Sequence, residues 1–328
     1  MNILVTGSTG FVGKYLLKRL IADGHKVICL LRPESVGIDG LKDLNIEIWT
    51  SGLFDTASLK NKIKNVDIIY HLAGSVFSQS KKELFRANCE ATASLYSATA
   101  DTNIKKFIYL SSITACGPSD QNSKNDENVK PHPISLYGQS KLAAELAIRT
   151  LFPTVKRNIV IVRCPLIYGE GMNSDSRLFV LTSKLVHQTY RHIGNGNNQI
   201  SFCSIDNLID FFSLIPSLNL SNVELFNIAD KRVLLMRELV SLICSTNNIQ
   251  EPNKNISPMK ALFFSSIIHL INRVSSLKSF DFPAPEQIKE LMSHWVMDIS
   301  KAEKYGYSPR SDVNDLLKKV VRLYQSGA

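Results

Sequence analysis

The first thirteen residues place the strongest constraint on the fold. An apolar run that begins at Ile3 leads directly into Gly7, Gly10 and Gly13, and a helical pattern follows from Tyr15. A strand that ends in glycines and opens a helix directs backbone N–H groups and the positive helix end toward one point, which suits a pyrophosphate. The spacing G-x-x-G-x-x-G differs from the commonest dinucleotide motif, and the alternative is an ordinary strand-to-helix connection. The pattern favours a nucleotide-binding turn.

Composition and charge narrow the class of protein. The chain has 328 residues, a net charge of +9 and no run of five basic residues, so we expect no nucleic-acid partner. Six cysteines without a C-x-x-C pair predict neither a disulfide framework nor a metal site, and they indicate a reducing compartment. A strand at the very N-terminus argues against a signal peptide, and the longest apolar stretch, 261–271, is too short to span a bilayer. We expect a cytoplasmic protein.

Strand and helix patterns alternate through the first half of the chain. They predict strands at 2–6, 26–31, 46–50, 67–72, 107–111 and 159–162, with helices at 15–22, 57–64, 82–100 and 136–151 between them. This alternation predicts an α/β fold, a Rossmann-type doubly wound parallel sheet that binds ligands at the carboxyl ends of its strands. After Pro165 it weakens to a strand at 199–205 and then mostly helices. We expect a nucleotide-binding domain at 1–165, completed by parts of 200–230, and a smaller, mostly helical substrate-binding region at 166–328, interleaved with the first.

The end of the second predicted strand bears on the choice of cofactor. In dinucleotide-binding folds this end faces the adenosine ribose, where a carboxylate accepts hydrogen bonds from the 2′-hydroxyl of NAD. Here the residue at that end is Arg32, and its guanidinium suits a 2′-phosphate. The sequence therefore favours NADP. The alternative is NAD, with Arg32 in solvent and Glu34 at the ribose.

A tyrosine and a lysine at the start of a predicted helix are candidates for proton chemistry. Tyr137 and Lys141 lie four residues apart and therefore share one helix face. A neighbouring cation could lower the pKa of the phenol enough for it to act as an acid or base near neutral pH. Ser112 ends a buried strand at the carboxyl edge, where its hydroxyl could hold a substrate oxygen beside the phenol. Any one of these residues alone would carry little weight.

Five motifs follow one another along the chain. They are Thr6-Gly-Ser-Thr-Gly-Phe-Val-Gly13, His71-Leu-Ala-Gly74, Leu110-Ser-Ser112, Tyr137-x-x-x-Lys141 and Arg163-Cys-Pro-Leu-Ile-Tyr-Gly169. In this order and spacing they resemble the extended short-chain dehydrogenase/reductase superfamily, in its NAD(P)-dependent epimerase/dehydratase family. The resemblance implies that Tyr137 donates and accepts the proton, that Lys141 activates it and binds the nicotinamide ribose, and that Ser112 orients the substrate.

The resemblance also implies a set of cofactor contacts and a structural role for Asn88. The implied cofactor-binding residues are Gly7, Thr9, Gly10, Phe11, Val12, Gly13, Arg32, Leu53, Leu72, Ala73, Gly74, Ser111, Tyr137, Lys141, Pro165 and Ile167. Two departures matter. Where the family has an aspartate that reaches the adenine, this chain reads 51–55 with Asp55 displaced, so we expect backbone groups to make that contact. The acid pair that sugar 4,6-dehydratases carry is replaced by Ile113 and Thr114, which argues against dehydration.

The expected reaction is hydride transfer between NADP(H) and a secondary alcohol or ketone of a small substrate, with Tyr137 as acid/base. The substrate is a nucleotide sugar or a steroid- or lipid-like ketone. One alternative is a nucleotide-sugar epimerase that uses the same residues and holds NAD tightly. The other is a redox-sensing or scaffold protein without chemistry, against which the intact Ser112, Tyr137 and Lys141 argue.

Three further expectations concern packing and surfaces. His71 follows a predicted strand and is expected to pack or bind backbone rather than catalyse. The apolar segment 260–273 is expected to pack on the substrate region, and the alternative is peripheral contact with a membrane. The resemblance implies a homodimer through helices 82–100 and 136–151, which carry the small residues Ala91, Ala93, Ser94, Ala143, Ala144 and Ala147.

Overall fold

The computed structural model describes residues 1–76, 80–155, 157–172, 176–220, 222–274 and 283–310. The strands are β1 (Asn2–Thr6), β2 (Lys26–Leu31), β3 (Ile46–Thr50), β4 (Ile68–His71), β5 (Lys106–Ser112), β6 (Asn158–Cys164), β7 (Leu166–Tyr168), β8 (His192–Ile193), β9 (Gln199–Ser204), β10 (Val223–Asn227), β11 (Val233–Leu235) and β12 (Asn255–Ile256). The helices are α1 (Phe11–Ala22), α2 (Thr56–Lys62), α3 (Lys81–Phe85), α4 (Ala91–Ala98), α5 (Ile113–Cys116), α6 (Leu136–Val155), α7 (Arg177–Val186), α8 (Ile205–Leu214), α9 (Met236–Asn247), α10 (Pro258–Val274), α11 (Pro285–Met292) and α12 (Ser300–Lys304).

Seven parallel strands form the main sheet, in the order β10-β6-β5-β4-β1-β2-β3. Because side chains alternate along a strand, Ile3 and Val5 face the core under α1 and α8, whereas Leu4 faces the core under α2, α4 and α6. Both faces are covered, which explains why the strands read as continuous apolar runs rather than as alternating patterns. The predicted Rossmann-type doubly wound sheet is confirmed.

The predicted elements of the first half are present with small shifts at their ends. The predicted helix at 82–100 is divided, because residues Arg86–Glu90 between α3 and α4 form a π-helical turn. In the second half, the sequence did not indicate the short strands β7, β8, β10, β11 and β12. Strand β10 pairs in parallel with β6 and forms the edge of the main sheet, so residues after 200 do contribute to it.

A smaller body lies beyond the carboxyl edge of the sheet. Strands β7, β9 and β11 form a three-stranded sheet, and α7 and α9 pack with it around Tyr168, Leu178 and Leu239. Within the described residues, no helix is long and apolar enough to cross a membrane. The carboxyl ends of β1, β2, β4, β5 and β6 face one edge of the main sheet, and the candidate site lies there.

Candidate active site

The turn after β1 has the backbone geometry that its glycines predicted. Gly7 has φ +71°, and a Cβ there would lie 2.7 Å from the backbone nitrogen of Ala73 in the turn after β4. A Cβ at Gly13 would overlap the carbonyl oxygen of Gly7. Gly10 is exposed and forms the N-cap of α1 without a side-chain cap, so no side chain of its own covers the first N–H groups of the helix. These donors fit the pyrophosphate of a dinucleotide.

Most of the other predicted cofactor residues lie along the same edge. Thr9, Phe11, Val12, Leu72, Ala73 and Ile167 are partly exposed, Gly74 is exposed, and Pro165 is buried after β6. Leu53 is partly buried and packs on the core beneath α2. Asp55 caps the N-terminus of α2 by accepting a hydrogen bond from Ser58 at 3.1 Å. Its carboxylate is therefore engaged in the helix cap, and the backbone contact to the adenine stays a prediction.

Arg32 lies at the exposed end of β2, on the nucleotide side of the sheet. The loop that follows returns to the glycine turn, because a Cβ at Gly37 would lie 3.7 Å from the Cβ of Thr9. The Arg32 side chain is 71% exposed, and its Nε lies 3.9 Å from Glu34 Oε1, which is a weak contact. The guanidinium is therefore largely open to solvent, with only this weak contact to Glu34.

Ser112 is held by the turn that follows it. The residue is the N-cap of α5, and its Oγ accepts hydrogen bonds from the backbone nitrogen of Thr114 at 3.2 Å and from Thr114 Oγ1 at 2.9 Å. Because both bonds use acceptor positions, the hydroxyl proton of Ser112 remains available to a third group. The phenol of Tyr137 lies near this hydroxyl, which acts to lower the pKa of the phenol.

Close packing of α6 against α5 brings Tyr137 to Ser112. Gly138 permits this approach, because a Cβ there would overlap the carbonyl oxygen of Thr114. Although the Tyr137 side chain is partly exposed, burial of its phenol dominates and raises the pKa to about 12. Burial acts in the direction opposite to the one expected from a neighbouring cation. Ser112 and Arg177 are the groups that lower the pKa.

Lys141 lies beneath the same site but is turned toward the strand. Its Nζ donates to the carbonyl oxygen of Leu110 at 2.6 Å and lies 4.3 Å from the ring centre of Tyr109. Burial lowers the pKa of Lys141 to about 7, and the charge of Glu145 partly opposes this shift. The expectation that Lys141 lowers the pKa of Tyr137 is thus not met by this arrangement. The shared helix face is present, and Lys141 approaches Gly74 on the cofactor side.

Two buried networks fix the elements that carry the site. Asn88 Nδ2 donates to Ser75 O at 2.8 Å and to Ser140 Oγ at 2.9 Å, and its Oδ1 accepts from Ser75 N at 2.7 Å. The π-helical turn thereby ties the loop after β4 to α6, which is the structural role that the resemblance implied. A second network links α6 to β5 and β6.

Glu145 is the centre of that second network. Its carboxylate pairs with Arg163 at 2.6 Å and accepts a hydrogen bond from Ser111 Oγ at 2.5 Å, and both charged side chains are buried. A buried ion pair of this kind is costly to break from one side, because the remaining charge is left without a partner. The hydroxyl of Ser111 is therefore used within the protein, although the sequence made Ser111 a cofactor-binding candidate.

His71 and an ion pair from the second half complete the surroundings. His71 is buried between Thr6 Oγ1 at 2.7 Å and Thr92 Oγ1 at 2.9 Å, and burial lowers its pKa to about 3. It packs as a neutral side chain. Arg177 at the start of α7 pairs with the buried Glu290 of α11, and both charges act on the pKa of Tyr137.

Sequence reasoning missed Arg177, Glu290 and the contact of Thr114 with Ser112. Arg177 and Glu290 are 113 residues apart, so no local pattern could join them. In the sequence, Thr114 indicated only that an acidic residue typical of sugar 4,6-dehydratases is missing. One signal was present in the sequence: Gly138 stands in the first turn of a helix, where glycine lowers helix stability and indicates a close approach.

Comparison with known proteins identifies the family of the chain. The model of the NAD dependent epimerase/dehydratase family matches residues 3–229. The chain is 29% identical over 215 residues to a sterol-4-alpha-carboxylate 3-dehydrogenase, decarboxylating, from Dictyostelium discoideum, covering 63% of this chain and 64% of that protein. It is 23% identical over 314 residues to an N-acetyl-alpha-D-glucosaminyl-diphospho-ditrans,octacis-undecaprenol 4-epimerase from Escherichia coli O157:H7, covering 93% and 90%.

A solved structure has the same fold over its whole length. UDP-glucuronic acid 4-epimerase from Bacillus cereus, in complex with UDP-glucuronic acid and NAD, superposes with a TM-score of 0.78 at 22% identity and covers 100% of both chains. The family match spans the glycine turn and all three candidate catalytic residues. The chain therefore belongs to the NAD dependent epimerase/dehydratase family and is an enzyme of that extended short-chain dehydrogenase/reductase type.

Proposed function

We propose that the protein is an oxidoreductase that interconverts a ketone and a secondary alcohol on a small substrate. The observation that carries this proposal is the pairing of Ser112 and Tyr137 beside the glycine turn. A bound nicotinamide cofactor supplies the hydride to the carbonyl carbon. Tyr137 gives its proton to the carbonyl oxygen, and Ser112 donates a hydrogen bond to that same oxygen. In the oxidative direction Tyr137 takes the proton back.

The other residues of the site position these two hydroxyls. Thr114 occupies the acceptor positions of Ser112, so the proton of Ser112 points away from α5 and toward the substrate oxygen. We assign Lys141 to the nicotinamide ribose. With the cofactor bound, its ammonium would donate to the ribose instead of to the carbonyl oxygen of Leu110. In that position its charge would favour the phenolate of Tyr137 over the neutral phenol.

We propose NADP as the cofactor, with NAD as the alternative. Support comes from Arg32, which directly follows β2, is largely exposed and has only a weak contact with Glu34. A planar guanidinium binds a phosphate through two parallel hydrogen bonds. The same proposal includes the other cofactor contacts that the resemblance implied, at residues 7, 9–13, 53, 72–74, 111, 137, 141, 165 and 167.

The substrate is proposed to be a nucleotide sugar or a steroid- or lipid-like ketone. Relatives named for a sterol carboxylate and for an undecaprenol-linked sugar support the lipid-like class, and a fold relative solved with UDP-glucuronic acid supports the nucleotide sugar. The second candidate function is epimerisation with tightly held NAD, which is favoured by the 23% identity to a 4-epimerase over nearly the whole chain.

One experiment separates these functions. The cofactor released from the purified protein by denaturation is identified by mass spectrometry, and NADPH oxidation is then followed over a panel of ketosugars and lipid ketones. We expect NADPH oxidation with one substrate class. Bound NAD together with interconversion of epimers and no net absorbance change would establish the epimerase instead.

The remaining assignments are proposals of the same kind. We propose that 1–165 together with β10 forms the nucleotide-binding domain and that most of 166–328 forms the substrate-binding region. We also propose a homodimer through the helices at 82–100 and 136–151, and a cytoplasmic location.

A further inference from the structure

Helix α10 exposes a continuous apolar face. Met259, Phe263, Ile267 and Leu270 recur every three or four residues and so share one side of the helix, with Phe264 beside them. Met259 is 82% exposed, Phe263 63%, Leu270 62% and Phe264 51%. Exposed large apolar residues elsewhere in the described chain lie outside any such helical stripe. A cluster of this kind marks an interaction surface, whereas single exposed residues need no explanation.

The opposite side of α10 is bound to the protein. Ala261 and Ser265 are buried, and Ser265 Oγ donates to the carbonyl oxygen of Pro283, just before α11. The helix is therefore held in place by one side while the other is presented outward. The outward residues, Met259, Phe263, Phe264, Ile267 and Leu270, are called the α10 face below.

Basic side chains border the α10 face. Arg191, Lys254 and Lys260 line a groove together with Ala261, Phe264 and Ile268, and no carboxylate is among the groove-lining residues. Along the sequence, no acidic residue occurs between Glu251 and Asp281, whereas this stretch contains four lysines or arginines. The carboxylate of Glu251 accepts a hydrogen bond from Ser241 at 2.6 Å. Glu251 lines the adjoining groove with Arg191 and Lys254, so the cations remain in excess around the α10 face. Apolar surface bordered by such an excess of cations complements the anionic headgroups and acyl chains of a phospholipid layer.

A second copy of the chain fits this surface less well. In a symmetric dimer the same patch meets itself, so Arg191, Lys254 and Lys260 of one copy would approach the same three cations of the other. Like charges brought together in this way oppose association, and the groove offers no carboxylate to pair with them. An anionic bilayer has the opposite charge.

We propose that the α10 face docks the protein on the surface of an anionic phospholipid bilayer. The apolar side chains enter the boundary between headgroups and acyl chains, while Lys254, Lys260 and Arg191 contact the headgroup phosphates. Neither signal suffices alone, because stable anchoring at an interface takes both apolar burial and basic charge. This docking is independent of the reaction proposed above.

Vesicle sedimentation of the full-length protein tests the docking. The probes are vesicles of phosphatidylcholine alone and of phosphatidylcholine with phosphatidylglycerol in equal parts. We expect binding to the mixed vesicles that is at least about tenfold tighter than to phosphatidylcholine and that weakens with added salt. The double variants Phe263→Ser/Phe264→Ser and Lys254→Gln/Lys260→Gln should each bind at least about tenfold more weakly. Phe54→Ser is the matched control, because Phe54 is an exposed phenylalanine distant in sequence, and it should bind like the unchanged protein.

A second readout does not depend on loss of binding. Phe263→Trp should show a blue shift of its emission on addition of mixed vesicles, whereas Phe54→Trp should not. Failure of the unchanged protein to bind mixed vesicles would overturn the proposal, as would wild-type binding by both double variants. If Phe263→Ser/Phe264→Ser instead converts a dimer that does not bind vesicles into a monomer, the face contacts a second copy and the proposal is wrong.

Discussion

At the scale of single residues, the proposed proton transfer depends on two hydroxyls that are positioned by different means. The turn after β5 holds Ser112, and the first turn of α6 holds Tyr137. Burial outweighs the other groups and raises the pKa of Tyr137 to about 12, which disfavours the phenolate near neutral pH. The proposed proton transfer therefore depends on groups that stabilise the phenolate, and Ser112 and Arg177 act in that direction.

Replacement of Tyr137 tests the proton transfer directly. Tyr137→Phe keeps the ring and removes the proton, so we expect intact folding and cofactor binding with turnover lowered by about two to four orders of magnitude. Steady-state rates with the substrate found in the screen measure this effect. Tyr305→Phe is the control, because Tyr305 is an exposed tyrosine after α12. Near-normal turnover of Tyr137→Phe would contradict the assigned mechanism.

The lowered pKa of Lys141 predicts how the stability of the protein depends on pH. Its pKa is about 7 in the folded protein and about 10.4 in an unfolded chain, so between these values the unfolded chain binds one more proton. The free energy of unfolding should therefore rise with pH in this window, by about 2 kcal/mol from pH 7 to pH 9 through this group alone. Lys141→Met should remove that part of the rise, whereas Lys14→Met, at an exposed lysine, should not. Urea unfolding of the cofactor-free protein at pH 7 and pH 9 measures this rise in the free energy of unfolding. An equal rise in the unchanged protein and both variants would contradict the assignment to Lys141.

Substitution of Arg32 tests whether the protein prefers NADP or NAD. In Arg32→Asp a carboxylate repels the 2′-phosphate of NADP and accepts from the 2′-hydroxyl of NAD, so the ratio of affinities for NADP and NAD should fall at least about tenfold. Titration of both cofactors by calorimetry measures the ratio. Glu34→Gln is the neighbouring control. If the ratio changes only in Glu34→Gln, then Glu34 rather than Arg32 contacts the ribose, and the preferred cofactor is NAD.

At the scale of elements, the site is assembled by the approach of α6 to the turn after β5. Gly138 permits contact with Thr114, and Asn88 ties α6 to the loop after β4. The ion pair of Glu145 with Arg163 joins α6 to β6 from within the core. These contacts attach α6 to the turn after β5, to the loop after β4 and to β6, so together they determine where Tyr137 and Lys141 lie.

Gly138→Ala tests this assembly. Alanine normally stabilises a helix by about 1 kcal/mol relative to glycine, so a helix free of tertiary contact would gain stability. Here the added Cβ overlaps the Thr114 carbonyl oxygen, and we expect a loss of about 1–3 kcal/mol and a turnover at least about tenfold lower. Chemical denaturation and steady-state kinetics measure both. Gln139→Ala, at the next and partly exposed position, should change neither; stabilisation by Gly138→Ala would show that α6 does not press on this turn.

At the scale of the whole molecule, the proposed dimer depends on which small residues face outward. Ala91 and Ala144 are buried within the chain, so they cannot form a contact between copies. Ala93, Ser94, Ala143 and Ala147 are partly exposed, and Leu146 beside them on α6 is 54% exposed. The outer surface of α6 thus keeps part of the small-residue face that the sequence indicated.

Light scattering tests the assembly. We expect a mass near twice the 36.6 kDa of the chain at micromolar concentration, because an isologous contact closes after two copies. Ala147→Arg should give monomers, since a long cation cannot fit where two helices pack closely. Val180→Arg, at an exposed position on α7, is the control. A monomeric mass for the unchanged protein would exclude the dimer.

The sequence by itself determined what depends on neighbours along the chain. The strand, the glycine turn and the helix that follows it lie within 22 residues, and Tyr137 and Lys141 share a face because the helix repeats every 3.6 residues. The parallel sheet also followed from local patterns, because continuous apolar strands between amphipathic helices pack stably only with helices on both faces. Local periodicity carries this information, so the sequence was sufficient to locate the glycine turn and the pair formed by Tyr137 and Lys141.

Only the tertiary structure decided what depends on contacts between distant segments. Strand β10 joined the main sheet, Arg177 met Glu290, Lys141 turned to Leu110, and the hydroxyl of Ser111 was taken by Glu145. Burial likewise set the pKa values of Tyr137 and Lys141 in directions that spacing could not predict. The physical reason is that desolvation and ion pairing depend on every group within a few ångströms, and the sequence specifies those neighbours only through the completed fold.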